Sequence, residues 1–151
     1  MLVLAHGCFD LFHIGHLKYL QAARTLGDRL IVTLTADEFI TKGPGRPLFH
    51  VQHRKQMLEA LKIVDKVEVI EDTTAIPGIL AFQPDIYAKG KDYLDSDDEN
   101  LELEKQTVES YGGKLVILET ERWSSTEIMT GTMLSTKRTT GLLSLSPRKK
   151  N

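Results

Sequence analysis

One cysteine, one tryptophan and no apolar run approaching ~20 residues set the first limits on this 151-residue chain. The lone thiol, Cys8, cannot close an internal disulfide, so stability must come from a buried core. Without a long apolar run there is no candidate for a membrane-crossing helix. The opening MLVLAHG has neither a basic n-region nor a long h-region, which makes the cytoplasm the expected compartment. Excess positive charge is also lacking. Nineteen Lys and Arg stand against 21 Asp and Glu, a net charge of -2, so no global field is available to hold a nucleic-acid backbone. Hydrophobic residues at 41% are ample for one folded domain and exclude disorder over most of the length.

Strand-like and helix-like segments take turns along the chain. Residues 2–5 and 30–34 are apolar or β-branched runs, and between them residues 14–26 carry Leu17, Leu20 and Ala23 at helical spacing. A second unit follows, with a helix over 51–64 presenting Met57, Leu58, Leu61 and Val64 on one face, and a strand over 66–70. Residues 75–82 form a short helix that tolerates Pro77 in its first turn, 85–88 a strand, and 97–111 a polar helix with Leu101, Val108 and Tyr111 on one side, stopped by Gly112-Gly113. Residues 115–118 supply a last strand. This alternation predicts a Rossmann-like, doubly wound α/β fold: a parallel sheet of about five strands with helices on both faces and functional loops at the strands' carboxyl ends. The domain is expected to span 1–134. The remainder, 135–151, with five basic residues, Gly141 and Pro147, reads as a poorly ordered tail.

Three loops interrupt the pattern, at 41–49 (TKGPGRPLF), 89–97 (KGKDYLDSD) and 120–126 (TERWSST), and each can reach a common crevice. The first strand runs into HGCFDLFHIGHLKYL, which sets His13 and His16 three apart where a loop becomes a helix. A helix start offers unpaired N–H groups and partial positive charge, a natural phosphate site, and two imidazoles would add directional donors. Gly7 and Gly15 would let a ligand come close to the backbone. Read alone, two histidines at this spacing favour the structural reading, in which they cap the helix or pack beneath a loop. Metal binding lacks a nearby Cys or Asp/Glu set, so no metal ligands are assigned. His50 and His53 repeat the spacing without the glycine or the strand and read as structural. No GxGxxG follows the first strand, which disfavours a dehydrogenase.

The segment GCFDLFHIGH resembles the GxFDxxHxGH signature of the cytidylyltransferase-like branch of the HxGH nucleotidyltransferase superfamily. KGPGRP, HRKQMLEALKIVD, PDIYAKGKDY, GGKLV and WSSTEI extend the likeness, in order, to about residue 129. The pattern is most similar to the adenylyltransferase domains of enzymes that make ADP-heptose, and less so to glycerol-phosphate and ethanolamine-phosphate cytidylyltransferases. The resemblance implies attack of a phosphate monoester on the α-phosphorus of ATP or CTP, with pyrophosphate released and Mg2+ bridging the phosphates.

By the same resemblance, His13, His16 and Lys42 would be catalytic. Gly7, Cys8, Phe9, Asp10, Gly15, Lys89, Gly90, Asp92, Ser124, Ser125 and Thr126 would bind the nucleotide. Asp37, Arg46, Arg54 and Arg122 would bind the acceptor, and a homodimer is implied. Without the resemblance, Asp10 and Asp37 read as possible caps, and Ser124 with Glu127 as a capping box. Two departures stand out. Glu119 occupies the position of the first arginine of RTxGISTT in glycerol-phosphate-type enzymes, with Arg122 at the glycine, which points away from CTP. Lys91 replaces the second glycine of the heptose-type KGGDY. A nucleotide-binding module that has lost catalysis is the alternative from another class, and the intact histidines argue against it.

Overall fold

The computed structural model describes residues 1–41, 43–91 and 99–119. Five strands, β1 (Leu2–Gly7), β2 (Arg29–Thr35), β3 (Lys66–Ile70), β4 (Ile86–Gly90) and β5 (Lys114–Leu118), form one sheet in the order β3-β2-β1-β4-β5. Every pairing is parallel. The helices α1 (Ile14–Arg24), α2 (Val51–Glu59), α3 (Ile76–Phe82) and α4 (Glu99–Glu109) connect them, with a 3-10 turn at Asp37–Phe39 after β2. The order reverses between β1 and β4, which puts the topological switch point directly beside the exit of β1. The doubly wound α/β expectation holds.

Side-chain alternation along each strand divides the core into two layers. Val3, Ala5, Leu30, Val32, Leu34, Ile86 and Ala88 pack with Leu20, Ala23 and Leu58 of α1 and α2. Leu4 and Tyr87 point the opposite way and pack with Ile79 of α3 and Val108 of α4. The runs are apolar on both faces because each strand is covered twice, as in parallel sheets generally.

Three expectations need adjustment. The second helix stops at Glu59 rather than reaching residue 64, and Leu61 and Val64 are placed by tight turns closing on Leu58 and Leu61. Met57 is half exposed, while Arg54 and Leu58 face inward. β4 runs on to Gly90 beyond the expected end at residue 88, because its ladder with β5 continues through Gly90↔Leu118. The domain limit at residue 134 and the tail lie outside the described residues. No described helix is long and apolar enough to cross a membrane.

Candidate active site at the head of the first helix

His13 is the N-cap of α1, extended at φ -140° and ψ 179°. Its Nδ1 accepts the Gly15 N–H at 3.1 Å, and Nδ1 of His16 accepts the His13 N–H at 3.2 Å, so the pair forms a reciprocal capping box built from imidazoles. The rings stack at 3.8 Å. An Nδ1 that accepts a backbone N–H carries no proton, so each neutral ring holds its proton on Nε2. Capping and phosphate recognition are therefore compatible: one nitrogen organises the helix start and the other is a donor.

Phe9 buttresses this pair. It is buried at φ +48°, sets its ring edge-on to His16 at 5.2 Å, and stacks on Tyr19 at 6.3 Å. The close approach expected of a ligand at Gly7 is made instead by Phe9, since a Cβ at position 7 would meet its ring at 3.0 Å. Gly15 is buried in the first turn, where its N–H serves His13. Tyr19 donates to the Ala88 carbonyl at 2.6 Å, which fixes α1 against β4 at the switch point.

The two acids and two arginines near the site turn towards the protein. Asp10 accepts the Leu48 and Phe49 N–H groups at 2.8 and 3.0 Å and Nε of Arg46 at 2.8 Å. Burial pushes its carboxyl up, but those N–H groups and Arg46 outweigh burial and hold it below the usual carboxylate range. Arg54, 1% exposed, donates to the carbonyls of Phe49, Cys8 and Thr35 and to Asp37 Oδ1 at 2.6 Å. Asp37 is likewise held low: burial raises it, and Arg54 with the Val51 N–H more than offsets that. Asp10, Asp37, Arg46 and Arg54, expected as nucleotide and acceptor contacts, act as staples that fasten residues 46–49 and α2 beneath the loop after β1. The Cys8 carbonyl is one of their anchor points. His50 is exposed with Nδ1 3.5 Å from Asp37, and His53 stacks on Phe49 at 4.3 Å, both as expected of structural histidines.

A cavity of about 160 Å³ opens between this stapled loop and α2, lined mainly by Phe9, Phe12, Phe49, His53 and Met57. Its lining is apolar and its two charged residues, Asp10 and Arg54, are committed as described, so it does not suit a triphosphate.

At the exit of β4, Lys89 also departs from expectation. Its ammonium lies 3.1 Å from Glu104 Oε1 of α4, with both side chains buried, whereas a nucleotide contact was expected. Glu104 further accepts the Ala75 N–H at 2.8 Å and the Tyr87 hydroxyl at 2.9 Å, tying α3, α4 and β4 together. Sequence reasoning passed over Glu104, although a lone glutamate inside the stripe of Leu101, Val108 and Tyr111 was the available signal. At Gly90, expected to lie against the nucleotide, a Cβ would meet no atom of the described residues within 4 Å. Lys42, Asp92, Arg122, Ser124, Ser125 and Thr126 lie outside the described residues.

Comparison with known proteins supplies independent context. Residues 4–131 match the cytidylyltransferase-like family. Among curated relatives, "Bifunctional protein HldE" of Methylobacillus flagellatus is 42% identical over 120 residues, covering 78% of this chain and 24% of the relative. The protein of the same name from Syntrophotalea carbinolica is 44% identical over 119 residues, with the same coverages. The chain thus spans about a quarter of the length of these relatives. Among solved structures, the lipopolysaccharide core biosynthesis protein from Thermoplasma volcanium aligns with TM-score 0.64 and 26% identity, covering 82% of this chain and 98% of that one.

Proposed function

Since the chain belongs to the cytidylyltransferase-like family and is a nucleotidyltransferase, we propose that it transfers AMP from ATP to a sugar phosphate, forming a nucleotide-sugar and pyrophosphate. The observation that carries the reading is the imidazole capping box of His13 and His16, in which Nδ1 of each ring does the capping and the Nε2–H is the ring's donor, at a helix N-terminus. The relatives' shared name and the lipopolysaccharide core neighbour favour a sugar phosphate as acceptor.

The chemistry asks for positioning rather than a strong base. An acceptor phosphate oxygen, already anionic, forms a bond to the α-phosphorus of ATP; the bond to the bridging α–β oxygen breaks and its electron pair leaves with pyrophosphate. Negative charge therefore grows on the α-phosphoryl oxygens and on the leaving group. Two Nε2–H donors and the positive end of α1 are suited to meet it, at no reorganisation cost, because the cap holds both rings beforehand. Phe9 keeps the rings from rotating away.

Magnesium is implied by the family, so the fit of the residues matters. Among the described residues no three His, Cys, Asp or Glu side chains converge to hold a metal, and Asp10 and Asp37 are engaged by arginines and backbone amides. The described residues do not form a ligand set for it. Magnesium fits best as the counter-ion that ATP brings.

The test is acceptor-dependent pyrophosphate release from ATP, CTP, GTP and UTP with sugar, polyol and amino-alcohol phosphates. His16→Ala should lower turnover at least ~100-fold, the scale of one preorganised donor. Because that change also removes half the cap, His16→Asn serves as its partner, retaining a side-chain acceptor for the His13 N–H while deleting Nε2. A near-wild-type rate in both variants would sink the mechanism.

A further inference from the structure

Lys91 and Glu119, which depart from the heptose-type and the glycerol-phosphate-type patterns respectively, are separated by 27 residues of chain and a helix but meet in space. β4 and β5 end in register at Gly90↔Leu118, so Lys91 and Glu119 are the first side chains past the sheet on neighbouring strands, and Nζ lies 3.6 Å from Oε1. Both are well exposed, at 57% and 78%. An ion pair in that setting contributes only ~0–1 kcal/mol to stability, so the fold has little need of it.

Its position relative to the phosphate site is what gives it meaning. The carboxyl edge above β2 is filled by the Asp37–Phe39 turn and the stapled 46–49 segment, with Arg54 on the Thr35 carbonyl and the Ala36 N–H on the Ile70 carbonyl. Above β4, by contrast, a Cβ at Gly90 would meet no atom of the described residues within 4 Å. A nucleotide with its phosphates at the head of α1, beside the switch point, would lay its nucleoside across the ends of β4 and β5, which brings the base towards Glu119.

Resting on the transferase reading above, we propose that Glu119 is a base-selecting residue, with Lys91 as the positioning residue that holds its carboxylate over the β4 exit. A carboxylate is an acceptor only. It takes a hydrogen bond from the exocyclic amine of adenine or cytosine, and it faces repulsion from the carbonyl oxygen that guanine or uracil presents at the corresponding place. The ligand class is thus an amino-base nucleoside triphosphate. Lys91 orients the carboxylate through the ion pair, so its effect on the base is indirect.

The experiment measures kcat/KM for ATP, CTP, GTP and UTP in the wild type, Glu119→Gln, Glu119→Lys and Lys91→Met, alongside calorimetric binding of the same four nucleotides without acceptor. The preference for the better amino base over the better keto base should fall by ~10-fold or more in Glu119→Lys, and by less in Glu119→Gln, whose amide both donates and accepts. Lys91→Met should shift it in the same direction by a smaller factor. Preference ratios within twofold of wild type in both Glu119 variants overturn the proposal. If the wild type releases no pyrophosphate with any pair, the transfer reading fails by itself, and the calorimetric preference still decides whether Glu119 selects the base.

Discussion

At His13 and His16 Nδ1 of each ring accepts a backbone N–H, and the donor role proposed for Nε2 is compatible with that only while the imidazole is neutral: a protonated Nδ1 has no lone pair for the backbone N–H. The third histidine of the motif behaves differently. His6 sits in β1 between the Thr33 and Thr35 hydroxyls at 2.8 and 3.3 Å, and its pKa is lowered to about 3, by burial first and then by the nearby Lys89 ammonium. The folded value lies below the unfolded 6.5, so between the two the unfolded chain binds more protons. His6 therefore contributes stability that is present above pH 6.5 and drains away as pH falls towards 3. Urea midpoints should drop between pH 7 and pH 4.5 in the wild type, and the drop should be shallower in His6→Gln; equal slopes would remove His6 as the cause. Much of this residue-level picture was legible beforehand. The residue types of the motif and their spacing placed the two histidines at a helix start, where the structure has them. The roles of Asp10 and Arg54 were not legible, because Asp10's partners lie 36 to 39 positions away and Arg54's up to 46, most of them backbone atoms that only packing brings near. A charged residue in a motif reads as a ligand contact until its partner is seen.

Among the elements, the strands were the most readable, since four- to seven-residue apolar runs allow few alternatives in a chain of this length. Helix ends were less so: the apolar spacing of Leu61 and Val64 continues past Glu59, and periodicity cannot distinguish a further helical turn from tight turns on the same face. The α4 stripe hid the larger surprise. Glu104 is 2% exposed and joins three elements through one carboxylate, so its removal leaves the Lys89 ammonium buried beside the site it used to occupy. Glu104→Leu should cost about 3–5 kcal/mol in chemical unfolding, as for loss of one partner of a buried pair. Adding Lys89→Met should recover part of that, since an apolar pair of similar volume removes the stranded charge. A double variant as unstable as the sum of the singles would mean that the carboxylate's bonds to Ala75 and Tyr87, and not its pairing with Lys89, dominate.

Over the whole molecule, two anionic substrates must reach a chain whose net charge is already -2. No long-range attraction assists them, so local positive charge has to act within about one Debye length, ~10 Å at 0.1 M salt. Residues 135–151 carry five basic side chains and no acidic one, so a chain ending at Leu134 has a net charge of -7, that is, -2 less five cations. Among the described residues the sheet and the elements that cover both its faces lie between Leu2 and Leu118, so the expected outcome of this shortening is a folding stability within ~1 kcal/mol of the full chain. Encounter with ATP should respond instead. At 20 mM salt the shortened chain is expected to show kcat/KM lower by about two- to fivefold with kcat unchanged, and the gap should close by 0.5 M salt, where surface fields are screened within a few ångströms. A deficit that persists at high salt, or that appears in kcat, would place the basic segment in the chemistry itself and not in the approach of substrate.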